Sequence, residues 1–142
     1  MKLSGWGRYP ILDARLLAPR SIDELRDHVR ATPQLIARGN GRAYGDSAIN
    51  TAATVKTRHL NRMLAFDGQT GELTAEPGVL IGDIIAAFLP RGWFPMITPG
   101  TKFVTLGGAI AADVHGKNHH KDGSFRSCVT WVEVMQPDGS TI

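Results

Sequence analysis

Apolar positions along the first half of the chain fall at helical spacing in two places and at strand spacing between them. In "SIDELRDHVRA", Ile22, Leu25 and Val29 form one stripe, and Ser21 with Glu24 has capping-box spacing; together they predict a helix that starts at Ser21. "QLIARG" predicts a short strand that runs straight into the glycine loop "GNGRAYGD", and "TVKTRHL" predicts the next strand. "MLAFDGQTGELTAEPG" has the form of a hairpin, with Asp67-Gly68 and Thr70-Gly71 as turn residues. "VLIGDIIAAFLPRG" predicts a second helix whose apolar face is Leu80, Ile81, Ile84, Ile85 and Phe88, closed by Gly92. "TPGTKFVTLGGAIAAD" predicts a turn followed by a short glycine- and alanine-rich helix. "CVTWVEVMQPDGSTI" predicts an alternating strand, a Pro-Asp-Gly turn and a return strand.

Strands and helices mixed in this order give an α+β chain of 142 residues, enough to bury a core without metal or disulfide staples. A single cysteine, Cys128, excludes an internal disulfide and a Cys-based zinc site; its expected place is a buried strand. The net charge of +3 comes without a long Lys/Arg run, so nothing demands a nucleic-acid surface. The start carries no signal-peptide pattern and no stretch has the length of a membrane span, so a cytoplasmic protein is expected.

Two glycine loops carry the candidate chemistry. In "RGNGRAYGD", small residues let backbone N–H groups converge on a phosphate oxygen, and Arg38 or Arg42 can add charge; a plain tight turn explains the glycines equally well. Gly39, Gly41 and Gly45 are spaced G-x-G-x-x-x-G, which rules out the Rossmann fingerprint, and no Gly-Lys-Ser/Thr follows, which rules out a Walker loop. In the second loop Pro99-Gly100 turns the chain, Thr101 and Thr105 offer hydroxyls, and Gly107-Gly108 permit close approach of either a ligand or a packed helix. Tyr44 either packs over the first loop or walls a site. Trp6, Trp93 and Trp131 are expected in cores or interfaces, and Asp46 is expected to cap the segment after the first loop.

"HGKNHHKDGSF" places His115, His119 and His120 close together, as metal ligands would be. Gly116 disfavours a helix there, and Lys117 and Lys121 repel a cation, so no metal is assigned. A solvated basic loop accounts for His119 to Lys121.

"RGNGRAYGDSAIN", "TAEPGVLIGDII", "PGTKFVTLGGAIAADVHGKNHHKDGSF" and "GWGRYP" together resemble the FAD-linked oxidases of the vanillyl-alcohol-oxidase-like superfamily, over nearly the whole chain. The resemblance implies a PCMH-type FAD-binding domain with subdomains at about 10–75 and 76–142, the second incomplete, and the flavin between them. It implies cofactor-binding roles for Gly39, Asn40, Gly41, Arg42, Ala43 and Tyr44 at the pyrophosphate. Gly100, Thr101, Thr105, Gly107, Gly108 and Ala109 would line the phosphates and ring. His115 and Gly116 would lie near the isoalloxazine, with His115, Lys117 and Tyr44 as the catalytic candidates. Lys117 could offset charge on a reduced flavin or receive a substrate phosphate.

Many relatives attach FAD through a histidine just after their G-x-G; Arg42 stands there, so the expectation is non-covalent FAD. The implied activity is oxidation of a secondary alcohol of a sugar or polyol, with a polyprenyl-phosphate-linked sugar as the leading substrate. A phosphate- or nucleic-acid-binding module without catalysis is the alternative. Because the chain stops as a strand begins its return, the expectation is an N-terminal fragment, inactive alone, whose substrate domain lies elsewhere.

Overall fold

The computed structural model describes residues 1–142, which form two compact units. The first comprises 1–60 with 132–142; the second comprises 61–131. These bounds differ from the division near residue 75 expected from sequence: the hairpin belongs with the second unit, and the last eleven residues return to the first.

The first unit opens with β1 (Lys2–Leu3) antiparallel to β2 (Leu12–Asp13). A parallel sheet follows, made of β3 (Leu16–Leu17), β4 (Ile36–Arg38) and β5 (Thr54–Lys56), in the order β3-β5-β4. The helix α1 (Ile22–Ala31) connects β3 to β4. Leu17 and Ile36 flank Val55 and Thr54 on the central strand, where Val55 is 1% exposed and Thr54 is fully buried. The Thr54 hydroxyl is satisfied locally: it donates to the Asn50 carbonyl (2.9 Å) and accepts from the Asn50 N–H (3.0 Å). Leu17, Ala53 and Val55 form the core beside this strand, with Leu25 of α1 and Leu35 against it.

Ser21 caps α1 as expected, accepting from the Glu24 N–H at 3.1 Å. The reciprocal half of the capping box differs: Glu24 reaches the Arg20 N–H at 2.7 Å, one residue earlier than the motif specifies. Two arginines of this helix close the unit onto the chain's far end. Arg26 Nε donates to the Gly139 carbonyl (3.1 Å) and Arg30 Nε to the Asp138 carbonyl (2.8 Å).

The second unit holds the expected hairpin, β6 (Met63–Phe66) with β7 (Leu73–Ala75), interrupted by a bulge between Met63 and Ala65. The Asp67 carboxylate turns the chain by accepting the Gln69 N–H at 2.7 Å. The helix α2 (Ile81–Phe88) buries Ile81, Ile84 and Phe88, three of the five positions on its expected apolar face. Gly92 ends the following 3-10 turn in left-handed conformation, φ 84°. Val79, Ile97, Ala109 and Phe125 complete this core, and Phe66 stacks on Phe88 at 4.2 Å between ring centroids. Two short helices finish the unit: α3 (Leu106–Ala111), as expected, and α4 (His119–Asp122), a single turn where a solvated loop is expected.

Two expectations fail, and a third holds in part. Residues 129–133 form no strand; pairing begins at Val134, which exchanges backbone bonds with Ile142, and continues around the Pro-Asp-Gly turn through a Met135–Thr141 bridge and a bond from the Gln136 N–H to the Ser140 carbonyl (2.8 Å). Alternation supplies a face, but a strand also needs a ladder partner. Cys128 is exposed, in the 3-10 turn Phe125–Cys128, where its Sγ donates to the Phe125 carbonyl. Trp6 and Trp131 are more than half exposed, so of the three tryptophans only Trp93 packs against a core.

Candidate functional site

The first glycine loop leaves the C-terminal end of β4, the end of a parallel strand where ligands bind in α/β sheets. Gly41 takes a left-handed φ of 67°, and a side chain there would collide with the Arg38 guanidinium. Arg38 is committed beneath the loop: it donates to the Ser4 carbonyl at 2.7 Å, and burial pushes its guanidinium below the ordinary arginine value. Of the two arginines proposed to add charge, Arg38 is therefore spent on holding the loop to the N-terminal segment. Trp6 N–H donates to the Ala43 carbonyl at 2.8 Å, a second tie between the same two segments.

Arg42 lies over the Trp6 ring, 4.8 Å from guanidinium carbon to centroid. Trp6, only half exposed and flat beneath a cation, is a platform rather than a core residue. Sequence reasoning missed this pair, because nothing local links positions 6 and 42. Ser4, Gly5, Trp6, Arg8, Gly41 and Arg42 enclose an open concavity of about 470 Å³. Tyr44 is 76% exposed, its side chain largely open to solvent, and its carbonyl accepts from the Ser47 hydroxyl. Asp46 stays exposed and receives the Ile49 N–H on its backbone carbonyl, not its carboxylate.

In the second unit Thr105 is the N-cap of α3, accepting from the Gly108 N–H at 3.2 Å, and is 2% exposed. The other amides of that first turn are also engaged. Leu106 donates to the Val79 carbonyl (2.7 Å), Gly107 to the Pro77 carbonyl (2.9 Å) and Ala109 to the Thr105 carbonyl (2.8 Å). The N-terminus of α3 is thus closed by the chain itself, and Ala109 is fully buried. A Cβ on Gly107 would come within 2.7 Å of the Pro77 Cβ, so this glycine serves close packing.

Gly100 is different. A Cβ built there would meet nothing within 4 Å, and Thr101 beside it holds the turn by accepting from the Phe103 N–H. The His115 segment pairs with Ser124 in an antiparallel bridge, and His115 and Lys117 both stand exposed. Gly116 lies against the second loop: a Cβ there would fall 2.6 Å from the Thr98 carbonyl oxygen. Gly100, Thr101, His115, Gly116 and Lys117 are therefore carried by two abutting segments of one unit. The first-loop residues 39–44 belong to the other unit.

Asp113 holds the second of these segments from behind. It adopts φ 42°, accepts from the Ser124 hydroxyl (2.9 Å) and the Arg126 N–H (3.0 Å), and sits 3.4 Å from Arg126 Nε. The Arg126 N–H leads in holding its carboxyl below the usual carboxylate value, against some burial. An Asp just past a helix C-terminus was the available signal, since Asp tolerates left-handed backbone. The histidines pack edge to face, His115 against His119 at 4.9 Å and His119 against His120 at 6.0 Å. No group of three His, Cys, Asp or Glu side chains converges on a point; Asp122 instead takes the Asn118 amide at 2.8 Å.

The sequence profile of the FAD binding domain matches residues 14–142. The chain belongs to that family. This FAD-binding domain is 38% identical to decaprenylphosphoryl-beta-D-ribose oxidase of Mycolicibacterium smegmatis, over 97% of the chain and 31% of that protein. It is 27% identical to glycolate oxidase subunit GlcD of Bacillus subtilis, over 95% of the chain and 30% of that protein. Among solved structures, an alkyldihydroxyacetonephosphate synthase superposes with a TM-score of 0.76 at 22% identity, covering 93% of this chain and 26% of that one. The α+β architecture is that of a PCMH-type FAD-binding domain, as the resemblance implied. The chain spans about a third of the length of the curated relatives named here. No helix is long and apolar enough to cross a membrane.

Proposed function

We propose that this chain is the FAD-binding part of a flavin-dependent oxidoreductase that oxidises a secondary alcohol of a sugar or polyol. A sugar carried on a polyprenyl phosphate is the substrate favoured by the likeness to decaprenylphosphoryl-beta-D-ribose oxidase, which extends over 97% of the chain. That likeness is the observation that carries the reading. Both glycine loops fit a flavin nucleotide: Gly41 is left-handed at a parallel strand's C-terminal end, and Gly100 leaves its Cβ position open.

In this reading Gly39, Asn40, Gly41, Arg42, Ala43 and Tyr44 of the first unit cradle the pyrophosphate. Gly100, Thr101 and the His115–Gly116 turn of the second unit meet the phosphates and ring. Gly107, Gly108 and Ala109 act from behind, since their amides are bound within the unit, and so does Thr105, whose buried hydroxyl receives the Gly108 N–H. When bound, FAD supplies the two-electron acceptor for the hydride leaving the carbinol carbon. His115, exposed, has a ring nitrogen able to take the hydroxyl proton. The Lys117 ammonium offsets negative charge at the reacting end or binds a substrate phosphate. Tyr44 forms a wall of the site.

The FAD is held non-covalently. Arg42, at the position where many members of the superfamily it resembles carry a linking histidine, has no nucleophilic imidazole and lies over Trp6. The test is direct: the purified protein should be yellow, and acid precipitation should release all of the flavin into the supernatant. Colour remaining in the washed pellet would refute non-covalent binding, and a colourless protein that takes up no added FAD would refute the flavin reading.

A further inference from the structure

Asn118 joins the two segments that carry the open glycine and the exposed histidine–lysine pair. Its Nδ2 donates to the Met96 carbonyl at 3.1 Å and to Asp122 Oδ2 at 2.8 Å. Both partners are pure acceptors, so chemistry fixes the amide orientation: the NH2 must face them. Both of its hydrogens are then used, one across to the neighbouring segment and one within α4. Two residues away, Gly116 lies against the Thr98 carbonyl with no room for a Cβ. The turn itself is stiffened by Gly116, whose carbonyl receives the His119 N–H (3.3 Å) and lies 3.1 Å from His119 Nδ1. Residues 96–98 and 116–118 thus run side by side. The chain continues two residues beyond Thr98 to Gly100 and one residue back from Asn118 to Lys117.

We infer that Asn118 is a positioning residue: by tying Met96 to the His115–Lys117 turn it presents Gly100, Thr101, His115 and Lys117 as one surface to the cofactor. This rests on the flavin reading above. Asp122 orients Asn118 by accepting its second hydrogen, and has no direct part in the tie. A side chain with the same shape but no donor, aspartate, would face the Met96 carbonyl and the Asp122 carboxylate with oxygen, and the tie would open.

Three variants of the protein separate the tie from the local helix bond. Asp122→Asn keeps an acceptor for Asn118, so it leaves both bonds and FAD affinity as they are. Asn118→Asp loses both bonds; its Kd for FAD, read by quenching of flavin fluorescence, rises about tenfold, on the scale of one lost hydrogen bond to a structured site. Asn118→Asp with Asp122→Asn restores the bond inside α4 with its direction reversed, yet still offers Met96 no donor. Its melting temperature recovers while its FAD Kd stays raised. Hydrogen exchange of the apoprotein reads the tie without flavin: the amides of Ile97, Thr98, Gly100 and Thr101 exchange faster in Asn118→Asp and in the double variant, but not in Asp122→Asn.

Recovery of FAD affinity by the double variant would overturn the inference, because local helix stability would then be sufficient. Unchanged exchange at 97–101 would overturn it too, as would an Asn118→Asp protein that binds FAD as tightly as the wild type. A wild-type protein that binds no FAD would overturn the functional reading and this inference together.

Discussion

Gly107 and Pro77 touch backbone to ring: the Gly107 N–H donates to the Pro77 carbonyl at 2.9 Å, and a Cβ on Gly107 would fall 2.7 Å from the Pro77 Cβ. Gly107→Ala should therefore destabilise the protein by about 1–3 kcal/mol, the usual cost of overpacking. Gly100, in the same motif, has open space at its Cβ position. Gly100→Ala should leave the melting temperature nearly unchanged and lower FAD affinity. Chemical denaturation and a flavin titration on both variants check this; equal stability losses would show that the two glycines do the same job.

Thr105 is buried, and its hydroxyl oxygen receives the Gly108 N–H. Thr105→Ala should cost about 1 kcal/mol, the typical worth of an N-cap, while Thr105→Ser should keep most of it. Urea unfolding of the two variants distinguishes the lost cap from the lost methyl group.

Glu76 is 6% exposed and accepts from the Arg62 N–H at 2.7 Å, from Arg62 Nε at 3.0 Å and from its terminal nitrogen at 2.7 Å. The Arg62 side-chain bond leads in holding the Glu76 carboxyl below its ordinary 4.5, with burial opposing. A carboxyl depressed on folding contributes stability above its unfolded pKa, and that contribution is lost as pH falls below about 4.5 through the folded value. Glu76→Gln should flatten the acid limb of stability against pH. At neutral pH, Glu76→Ala should cost about 1–2 kcal/mol, less than a fully buried pair, because the 71% exposed Arg62 side chain can rehydrate. Melting temperatures from pH 3 to pH 7 (about this range brackets the carboxylates) decide it.

Lys117 is exposed, so Lys117→Ala should change stability by less than about 0.5 kcal/mol. On the proposed function it should lower kcat/KM about 100-fold, as the loss of one charge-stabilising donor does. A fall confined to KM would assign the lysine to binding a substrate phosphate; a fall in kcat would assign it to charge at the reacting end.

Helices were legible because their signals are local. Ser21 with Ile22, Leu25 and Val29, and Leu80 with Ile81, Ile84 and Phe88, announce start, face and stop within one window. The hairpin turn at Asp67 was legible for the same reason. What sequence missed depends on neighbours distant along the chain or on a partner that periodicity does not name. Residues 129–133 alternate like a strand but meet no ladder. Trp6 meets Arg42, and Asn118 meets Met96, across 36 and 22 positions. Within the candidate site the motif residues were legible by type. Their division into open positions such as Gly100 and enclosed ones such as Gly107 required coordinates, since both are glycines in the same stretch.

The arginine contacts from α1 to Asp138 and Gly139 have a consequence for synthesis. Arg26 and Arg30 emerge from the ribosome more than a hundred residues before the carbonyls that receive them. The second unit is a continuous stretch, 61–131, and has every residue it needs before the first unit does. On the ribosome the unit that starts later is the one that can finish earlier, and α1 must wait for the chain to come back.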